Sequence, residues 1–331
     1  MNKEISAFNR MHQRTLSLIR KYNITIEDIV ELLCALNHHT KYGKIPSLVQ
    51  QKLVRYYCLS NGEVQELIHC FRCDKSDDIV NNIQLRSALF NITASDFEKV
   101  IKTVHEEGYA KMPFRLSEQI CDFLVEESKG FKYDCVVRDE NGMRHEKIDI
   151  LKERPEATIT ASAEVKSLMK NKLIRDIADD NVIKSIVSIL LRCKPSIHSL
   201  NFWHSYTTPN GKAESECAQE FHYDLDEFRW LKVFIFLTEV GIEDGPHIYI
   251  RGTHKVSAKP RALLNKGYGR ISDEEMSRFY PKDTWQTITC KPGTIYIADT
   301  RCYHKANPVL NGKRTVLQPQ YAKSDFSSRI I

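Results

Sequence analysis

The sequence predicts a protein of the α+β class, in which a helical first part is followed by a part rich in β-strands. Three observations indicate this class. Apolar residues recur at helical spacing through about the first 95 residues, short β-branched and aromatic runs dominate after Pro195, and turn signals separate those runs. We therefore expect two parts, a helical N-terminal segment over residues 1–95 and a β-rich domain over residues 96–331.

The N-terminal segment is predicted to be entirely helical. Its first helix starts near Ile5, and a second runs from Ile26 to Leu36, because the Thr25 hydroxyl can accept from a free backbone N–H at the helix start. Three further helices are predicted at Leu48–Leu59, Glu63–Phe71 and Ile79–Leu89. The segment could be a lid, a surface for a homodimer or a dock for a carrier protein, or it could only extend the core.

Helices continue into the second part. Thr93 can cap a helix Phe97–Glu106 that stops at Gly108, and Tyr109–Met112 is a candidate strand. Three more helices are predicted before residue 195, at Ser117–Ser128, Ala163–Ile177 and Asn181–Leu191. In the first of these, Ile120, Phe123 and Leu124 should face the core.

From Leu200 onward, short runs alternate with turn signals such as Pro292-Gly293. The candidate strands are Trp230–Thr238, Ile248–Arg251, Thr287–Thr289, Thr294–Ala298 and Thr315–Tyr321. Many short strands of this kind suit a double-stranded β-helix, the jelly-roll or cupin-like architecture. The predicted fold is thus a jelly-roll core with flanking helices and an N-terminal all-helical segment.

Composition argues against several classes of protein. The net charge of +5 is small and basic residues alternate with acidic ones, so nucleic-acid binding has little support. The longest apolar runs, Val233–Leu237 and Ile186–Leu191, are far shorter than the roughly 20 residues of a membrane-spanning helix. Ten cysteines without the spacing of a disulfide framework, and an N-terminus without a signal peptide, favour a cytoplasmic protein.

One short motif suggests a metal site. His222 and Asp224 are two residues apart, and on an extended segment such residues point to the same side, so both can bind one metal. A third ligand, His304, would complete a facial triad of two histidines and one carboxylate, which is typical of iron(II). By contrast, His105 and Glu107 lie in a predicted helix, where residues two apart point in nearly opposite directions and cannot chelate together.

A basic residue follows the third ligand at a suggestive spacing. His304 comes just after the candidate strand Thr294–Ala298, and Arg314 stands ten residues further on. If both side chains point inward from neighbouring strands, the guanidinium of Arg314 lies a few Å beyond the metal. Its planar fork can pair there with a distal carboxylate of a bound molecule.

Together these residues resemble the phytanoyl-CoA dioxygenase family, a branch of the iron and 2-oxoglutarate oxygenases. Family members carry a segment like Asn-Gly-Pro-Leu followed by hydrophobics and Pro-Gly-Ser-His, and this chain has Asp244-Gly245-Pro246-His247 leading to Gly252-Thr253-His254. The order His304, Asn307, Arg314, Tyr321 and the opening strand Glu107–Pro113 are also family-like, so the resemblance covers residues 97–322. Arg251 and Ala306 depart from the pattern, and neither is a metal ligand.

The resemblance implies an iron(II)- and 2-oxoglutarate-dependent dioxygenase. It implies that His222, Asp224 and His304 bind iron and are the catalytic residues, and that Arg314, Gln219 and Asn307 bind 2-oxoglutarate. The substrates would be molecular oxygen and a small molecule or lipid- or carrier-linked metabolite, with release of succinate and carbon dioxide. Since Asp224 is present where halogenases of the family have a small residue, hydroxylation or a related oxidation is favoured.

Other interpretations remain open at this point. The domain could be a catalytically silent sensor or binding module that holds a metal, or a zinc-dependent cupin enzyme in which Arg314 would lack a partner. Gln219 and Asn307 could merely tie strands together, and His254 is interpreted as structural. The residues that could line the pocket, or simply belong to the core, are Tyr206, Thr207, Phe228 and Trp230.

Overall fold

A computed structural model describes residues 13, 15–32, 34, 47–71, 73–140, 142–207 and 217–323. It has a mixed architecture of helices and antiparallel sheets, so the predicted α+β class is confirmed. Residues 15–22 and 26–32 are helical, whereas the expected helix start near Ile5 lies outside the described residues. Thr25 caps the second of these stretches as predicted, because its hydroxyl accepts from the backbone N–H of Asp28.

Four further helices precede the first strand, namely α1 (Ser47–Ser60), α2 (Glu63–Phe71), α3 (Ser76–Val80) and α4 (Ala94–Glu107). The prediction of a helix over Ile79–Leu89 is wrong, since α3 ends at Val80. The physical reason is local competition for backbone groups. The Ser87 hydroxyl accepts from the backbone N–H groups of Leu89 and Phe90, which forms a turn in place of a helix.

The remaining helices are α5 (Glu118–Glu127), α6 (Val165–Lys170), α7 (Lys172–Ala178), α8 (Asn181–Leu191), α9 (Arg261–Leu264) and α10 (Asp273–Ser277). In α5, Leu124 is buried as predicted, but Phe123 is 50% exposed and Cys121 takes the inward position. The single helix predicted over Ala163–Ile177 is divided in two. Asn171 separates the parts, because its side chain accepts from the N–H of Ile174 and caps α7.

Eleven strands form two antiparallel sheets among the described residues. The large sheet has the order β1-β9-β6-β11-β5-β4-β2-β3, and the small sheet has the order β10-β7-β8. The strands are β1 (Tyr109–Arg115), β2 (Tyr133–Asp139), β3 (Gly142–Ile148), β4 (Thr158–Ala163), β5 (Ser196–Tyr206), β6 (Trp230–Phe236), β7 (His247–Tyr249), β8 (Gln286–Ile288), β9 (Thr294–Ala298), β10 (His304–Ala306) and β11 (Lys313–Ala322).

Strands β2, β3 and β4 extend the large sheet at one side, and the sequence did not predict them. β3 reads Gly-Met-Arg-His-Glu-Lys-Ile, and all of it except Ile148 is partly or fully exposed. An edge strand with so many charged residues lacks the apolar alternation that marks a strand in sequence.

Alternate residues of the large sheet belong to two different cores. From β6, Val233 and Ile235 join the main cluster, which includes residues of α4, α5, α7 and α8. Phe234 and Phe236 point the other way and pack with Tyr249 and other residues of the small sheet. The two sheets therefore share a core of their own, and the predicted site residues lie on this side.

The helical N-terminal segment packs against the β-rich part rather than standing apart from it. Tyr57 of α1 stacks on Tyr223 with ring centroids 5.2 Å apart, and the Sγ of Cys58 lies 3.2 Å from the Tyr223 hydroxyl. In α2, Glu66 pairs with Arg229 at 2.8 Å and with Arg192 at 2.9 Å. This segment thus contacts Tyr223, which stands between the predicted metal ligands His222 and Asp224.

Two expectations from composition concern the cysteines and membrane-spanning helices. All ten cysteines lie in the described ranges and are free thiols, as predicted. Among the described residues, no helix combines the length and the apolar character that crossing a bilayer requires.

Candidate metal and co-substrate site

Backbone pairing brings the three predicted metal ligands together. The N–H of His222 donates to the carbonyl of His304 at 3.0 Å, and the N–H of His304 donates back to His222 at 2.8 Å. The N–H of Asp224 donates to the carbonyl of Thr300 at 2.9 Å. The segment around His222 is therefore extended and lies beside the start of β10, which explains how His222 and His304, 82 positions apart, reach one point.

The three side chains converge at distances that suit one metal ion. Each offers a ligand atom within 4.8 Å of the other two. The Nε2 atoms of His222 and His304 are each 3.7 Å from a carboxylate oxygen of Asp224. Among the described ranges this is the one group of three or more potential ligands.

Both histidines present the nitrogen that a metal needs. The Nδ1 atoms of His222 and His304 lie 2.9 Å from the backbone carbonyls of Glu220 and Cys302. A carbonyl can only accept, so each Nδ1 carries a proton and each Nε2 keeps its lone pair for the metal. Burial lowers the pKa of His222 to about 3 and also lowers the pKa of His304, so both imidazoles are neutral at neutral pH.

The Asp224 carboxylate is held by a buried lysine. Lys232 Nζ donates to Asp224 Oδ2 at 2.7 Å and lies 3.0 Å from Asp226. Burial by itself would raise the pKa of Asp224, but the charge and hydrogen bond of Lys232 and the two neighbouring histidines together outweigh it and hold this pKa below its ordinary value. The site therefore combines two neutral imidazoles with one ionised carboxylate, the donor set that iron(II) takes in facial triads.

Arg314 occupies β11 beside Ser205 of β5 and is buried. Its Nη1 donates to the carbonyl of Gly245 and its Nη2 donates to the Ser205 hydroxyl at 3.1 Å. Its Nε is buried without a partner, and no carboxylate of the described residues pairs with it. Burial lowers the Arg314 pKa to about 10, which still leaves the group charged at neutral pH. A buried guanidinium with a free donor fits the carboxylate of a bound molecule.

One cavity of about 470 Å³ connects these groups. Its described wall includes all three predicted metal ligands, Lys232 and Arg314. It extends along the large sheet to Asn201 and Gln318, which are directly opposite each other on β5 and β11. A larger cavity of about 850 Å³ lies between α3 and α8 and contains none of the predicted site residues in its described wall.

The other residues singled out from sequence are placed less centrally. Gln219 is buried and Asn307 half-buried, but neither is among the described residues that line the 470 Å³ cavity, so a co-substrate contact for them stays a prediction. Phe228 packs with the N-terminal helices, and Trp230 is core with its Nε1 donating to Thr300 at 2.8 Å. His254 contacts the carbonyl of His105 at 3.2 Å, consistent with a structural role.

Tyr206 and Thr207 also lie away from the cavity wall. Tyr206 faces away from it and has the guanidinium of Arg154 4.0 Å from its ring centroid. Thr207 is exposed next to residues outside the described ranges.

Sequence reasoning overlooked several polar residues on the cavity wall, among them Lys232, His247 and Gln318. Lys232 had a signal, because it is the one charged residue of an otherwise apolar strand that starts six residues after Asp224. Gln318 is buried with its Nε2 unpartnered, yet it sits in a strand without any motif around it. His247 stands where the family pattern has an apolar residue, and that departure was its signal.

Several solved structures are similar to part of the chain. HygX from Streptomyces hygroscopicus, with nickel and 2-oxoglutarate bound, is 12% identical, with 71% of this chain and 88% of that chain covered and a TM-score of 0.49. The non-heme alpha ketoglutarate dependent epimerase SnoN from nogalamycin biosynthesis is 14% identical, with 70% and 84% covered and a TM-score of 0.49. EctD from S. alaskensis is 16% identical, with 72% and 81% covered and a TM-score of 0.45.

Sequence comparison gives the family. No curated protein matches the chain significantly. The model of the phytanoyl-CoA dioxygenase (PhyH) family matches residues 104–316, nearly two thirds of the chain. That range contains the three predicted metal ligands and Arg314, whose geometry fits iron(II) and 2-oxoglutarate. The chain belongs to the phytanoyl-CoA dioxygenase family, whose oxygenases depend on iron(II) and 2-oxoglutarate.

Proposed function

We propose that this protein is a dioxygenase that hydroxylates a small molecule or a lipid- or carrier-linked metabolite and releases succinate and carbon dioxide. One observation carries the proposal. A complete triad of His222, Asp224 and His304 and an unpaired buried guanidinium, Arg314, line the same cavity. A triad alone would suit any metal site, whereas the added guanidinium suits a co-substrate with a second carboxylate.

Each of these residues has a defined task in the proposal. His222, Asp224 and His304 hold iron(II) on one side and leave the opposite side open to the cavity. Bound iron(II) supplies the oxygen chemistry that couples decarboxylation of 2-oxoglutarate to oxidation of a C–H bond. Lys232 keeps Asp224 ionised and oriented, and Arg314 neutralises the distal carboxylate of 2-oxoglutarate.

The proposal also covers the architecture of the protein, namely the type of β-fold and the place of the helical N-terminal segment. We propose that the two sheets form a double-stranded β-helix, and the core shared by Phe234, Phe236 and Tyr249 supports this. Residues 1–95 would be a helical segment that covers one side of the domain 96–331, with contacts such as Tyr57 on Tyr223. A cytoplasmic location is supported by the ten free thiols. A homodimer or carrier-protein contact through residues 1–95 remains a prediction.

The proposal is tested by pairing iron binding with turnover of the co-substrate. We expect His222→Ala, Asp224→Ala and His304→Ala to abolish tight iron(II) binding and iron-dependent succinate formation from 2-oxoglutarate, with circular dichroism unchanged. The matched control is His105→Ala, which removes an exposed histidine of the helical pair. Wild-type protein that binds iron and 2-oxoglutarate but forms no succinate would instead favour a silent sensor or binding module.

A further inference from the structure

His247 is a buried histidine that faces the co-substrate side of the cavity. It opens β7 directly after Gly245 and Pro246, is 5% exposed and lines the same cavity as the metal ligands and Arg314. Burial lowers the pKa of His247, and the charge of Arg314 lowers it further. Its imidazole therefore shares one cavity with Arg314 and with the predicted metal ligands.

The ring of His247 is fixed in orientation. Its Nδ1 hydrogen-bonds to the hydroxyl of Tyr296, and the rings of Phe234 and Phe236 pack against it in edge-to-face arrangements at 5.0 and 5.5 Å. Among the described residues, none hydrogen-bonds to the other nitrogen, Nε2. A buried imidazole with one nitrogen tied to the protein and the other free at a cavity is arranged to bind a ligand.

The direction of the hydrogen bond between His247 and Tyr296 decides which nitrogen of His247 can donate into the cavity. Burial raises the pKa of Tyr296 well above its ordinary value, so its hydroxyl keeps its proton. Burial also lowers the pKa of His247, so the imidazole is neutral and has one N–H. When the Tyr296 hydroxyl donates to Nδ1, that N–H is on Nε2 and points into the cavity as a donor.

The positive charge of Arg314 favours an anionic group as the ligand that accepts from His247. Tyr296, the partner of His247, also interacts electrostatically with Arg314. Gly245, whose carbonyl accepts from Arg314, is two residues before His247, so one turn positions both side chains. An anionic oxygen between them could accept from both, since a carboxylate offers about four lone-pair sites.

We propose that His247 is a second anchor for the distal carboxylate of 2-oxoglutarate, donating from Nε2 beside Arg314. This inference rests on the proposed function, because it names a further residue for the same co-substrate. A second anchor at His247 would make the site selective for 2-oxo acids that carry a hydrogen-bond acceptor at the end distant from the metal. It would add a neutral donor to the positive charge of Arg314.

The test is a binding titration that needs no substrate and no turnover. 2-Oxoglutarate is titrated anaerobically into iron(II)-loaded protein, and the charge-transfer absorbance of the chelate gives the dissociation constant. We expect His247→Leu, which keeps the volume and removes the donor, to raise this constant on the order of tenfold or more, as for loss of a hydrogen bond to a charged group. His247→Gln should bind nearly as wild type, because its amide can place a donor near the position of Nε2.

A truncated co-substrate distinguishes anchoring from packing. 2-Oxopentanoate has the same chelating end and chain but a methyl group in place of the distal carboxylate. If His247 binds that carboxylate, wild type and His247→Leu bind 2-oxopentanoate equally, and iron(II) affinity is the same in both. An equal loss for both 2-oxo acids, or no loss for either, overturns the proposal.

Two further outcomes are covered by the same titration. If His247→Leu does not fold, His247→Asn replaces it, since Asn can satisfy Tyr296 but is too short to reach the position of Nε2, and it should lose affinity where Gln does not. If wild-type protein binds iron(II) but not 2-oxoglutarate, the proposed function itself fails, which is a different result from a selective loss in the variants.

Discussion

Lys232 Nζ lies 2.7 Å from Oδ2 of Asp224, so the carboxylate of the candidate metal triad is itself held by a buried ammonium group. Burial by itself would lower the pKa of Lys232, but Asp224 and Asp226 together raise it by more. The pKa of Lys232 is therefore above its ordinary value. The lysine is therefore charged and contributes both a hydrogen bond and a positive charge. Partners of this kind orient metal ligands and tune the metal site.

Removal of this lysine should weaken the metal site without removing a ligand. We expect Lys232→Met to raise the iron(II) dissociation constant by roughly 10- to 100-fold, as is usual when a hydrogen-bond partner of a metal ligand is lost. The measurement is a metal titration at fixed pH. Lys255→Met, at an exposed lysine, is the matched control and should bind iron as wild type does. Unchanged affinity in Lys232→Met would mean that Asp224 is oriented by its backbone alone.

Loss of the arginine should affect the co-substrate and spare the metal. We expect Arg314→Gln to weaken 2-oxoglutarate binding by about 2–5 kcal/mol, the range for truncating one partner of a buried charge pair. Arg314→Lys should recover part of this loss, because a lysine keeps the charge but lacks the planar fork. The charge-transfer titration in iron-loaded protein measures both. If wild type and Arg314→Gln titrate alike, the co-substrate is anchored elsewhere.

A glycine beside the arginine should link stability to co-substrate binding. Gly245 has φ +73°, and an added Cβ would lie 2.7 Å from the carbonyl oxygen of Asn307. Gly267 also has a positive φ, +81°, but open space around it. Both changes to Ala meet about 1–2 kcal/mol of backbone strain, and Gly245→Ala adds about 1–3 kcal/mol of overpacking.

Only Gly245→Ala should also weaken 2-oxoglutarate binding, because the Gly245 carbonyl accepts from Arg314. Urea denaturation and the co-substrate titration measure the two effects separately. Equal behaviour of the Gly245 and Gly267 variants in both measurements would contradict this link.

The ion pairs of α2 should stabilise the contact between the helical segment and the β-rich part. Glu66 is 19% exposed and lies 2.8 Å from Arg229. Glu66→Gln removes the negative charge that pairs with Arg229. Removing one partner of a buried ion pair lowers the free energy of unfolding by about 3–5 kcal/mol, and we expect a decrease near the lower end of this range. Glu106→Gln, in an exposed pair with Lys102, is the control and should change stability by less than about 1 kcal/mol.

This contribution should depend on pH in a defined direction. Burial by itself raises the pKa of Glu66, but Arg229, Arg301 and other cations outweigh it and lower the pKa. A lowered carboxyl pKa stabilises the fold above the ordinary value of 4.5, and the stabilisation is lost as the pH falls through the lowered pKa. The difference in unfolding free energy between wild type and Glu66→Gln should therefore shrink in acid. A difference that is constant with pH would point to packing.

Local patterns in the sequence were sufficient for several elements and for the proximity of two candidate ligands. Thr25 and Thr93 cap helices as expected, because a cap depends on atoms three residues apart. α8 was predicted with its observed bounds, since its apolar residues and its end signals are contiguous. His222 and Asp224 lie close together because an extended backbone places alternate residues on one side.

Interactions between distant parts of the chain decided the rest. The sequence alone determined the α+β class, most of the helices and the candidate ligands His222, Asp224 and His304, because these depend on periodicity and short spacings. Only the tertiary structure decided that β2, β3 and β4 extend the sheet, and that His247 lines the same cavity as Arg314 and the candidate ligands. The physical reason is that strand pairing and the burial of a polar side chain depend on partners tens to hundreds of residues away, which no local pattern contains.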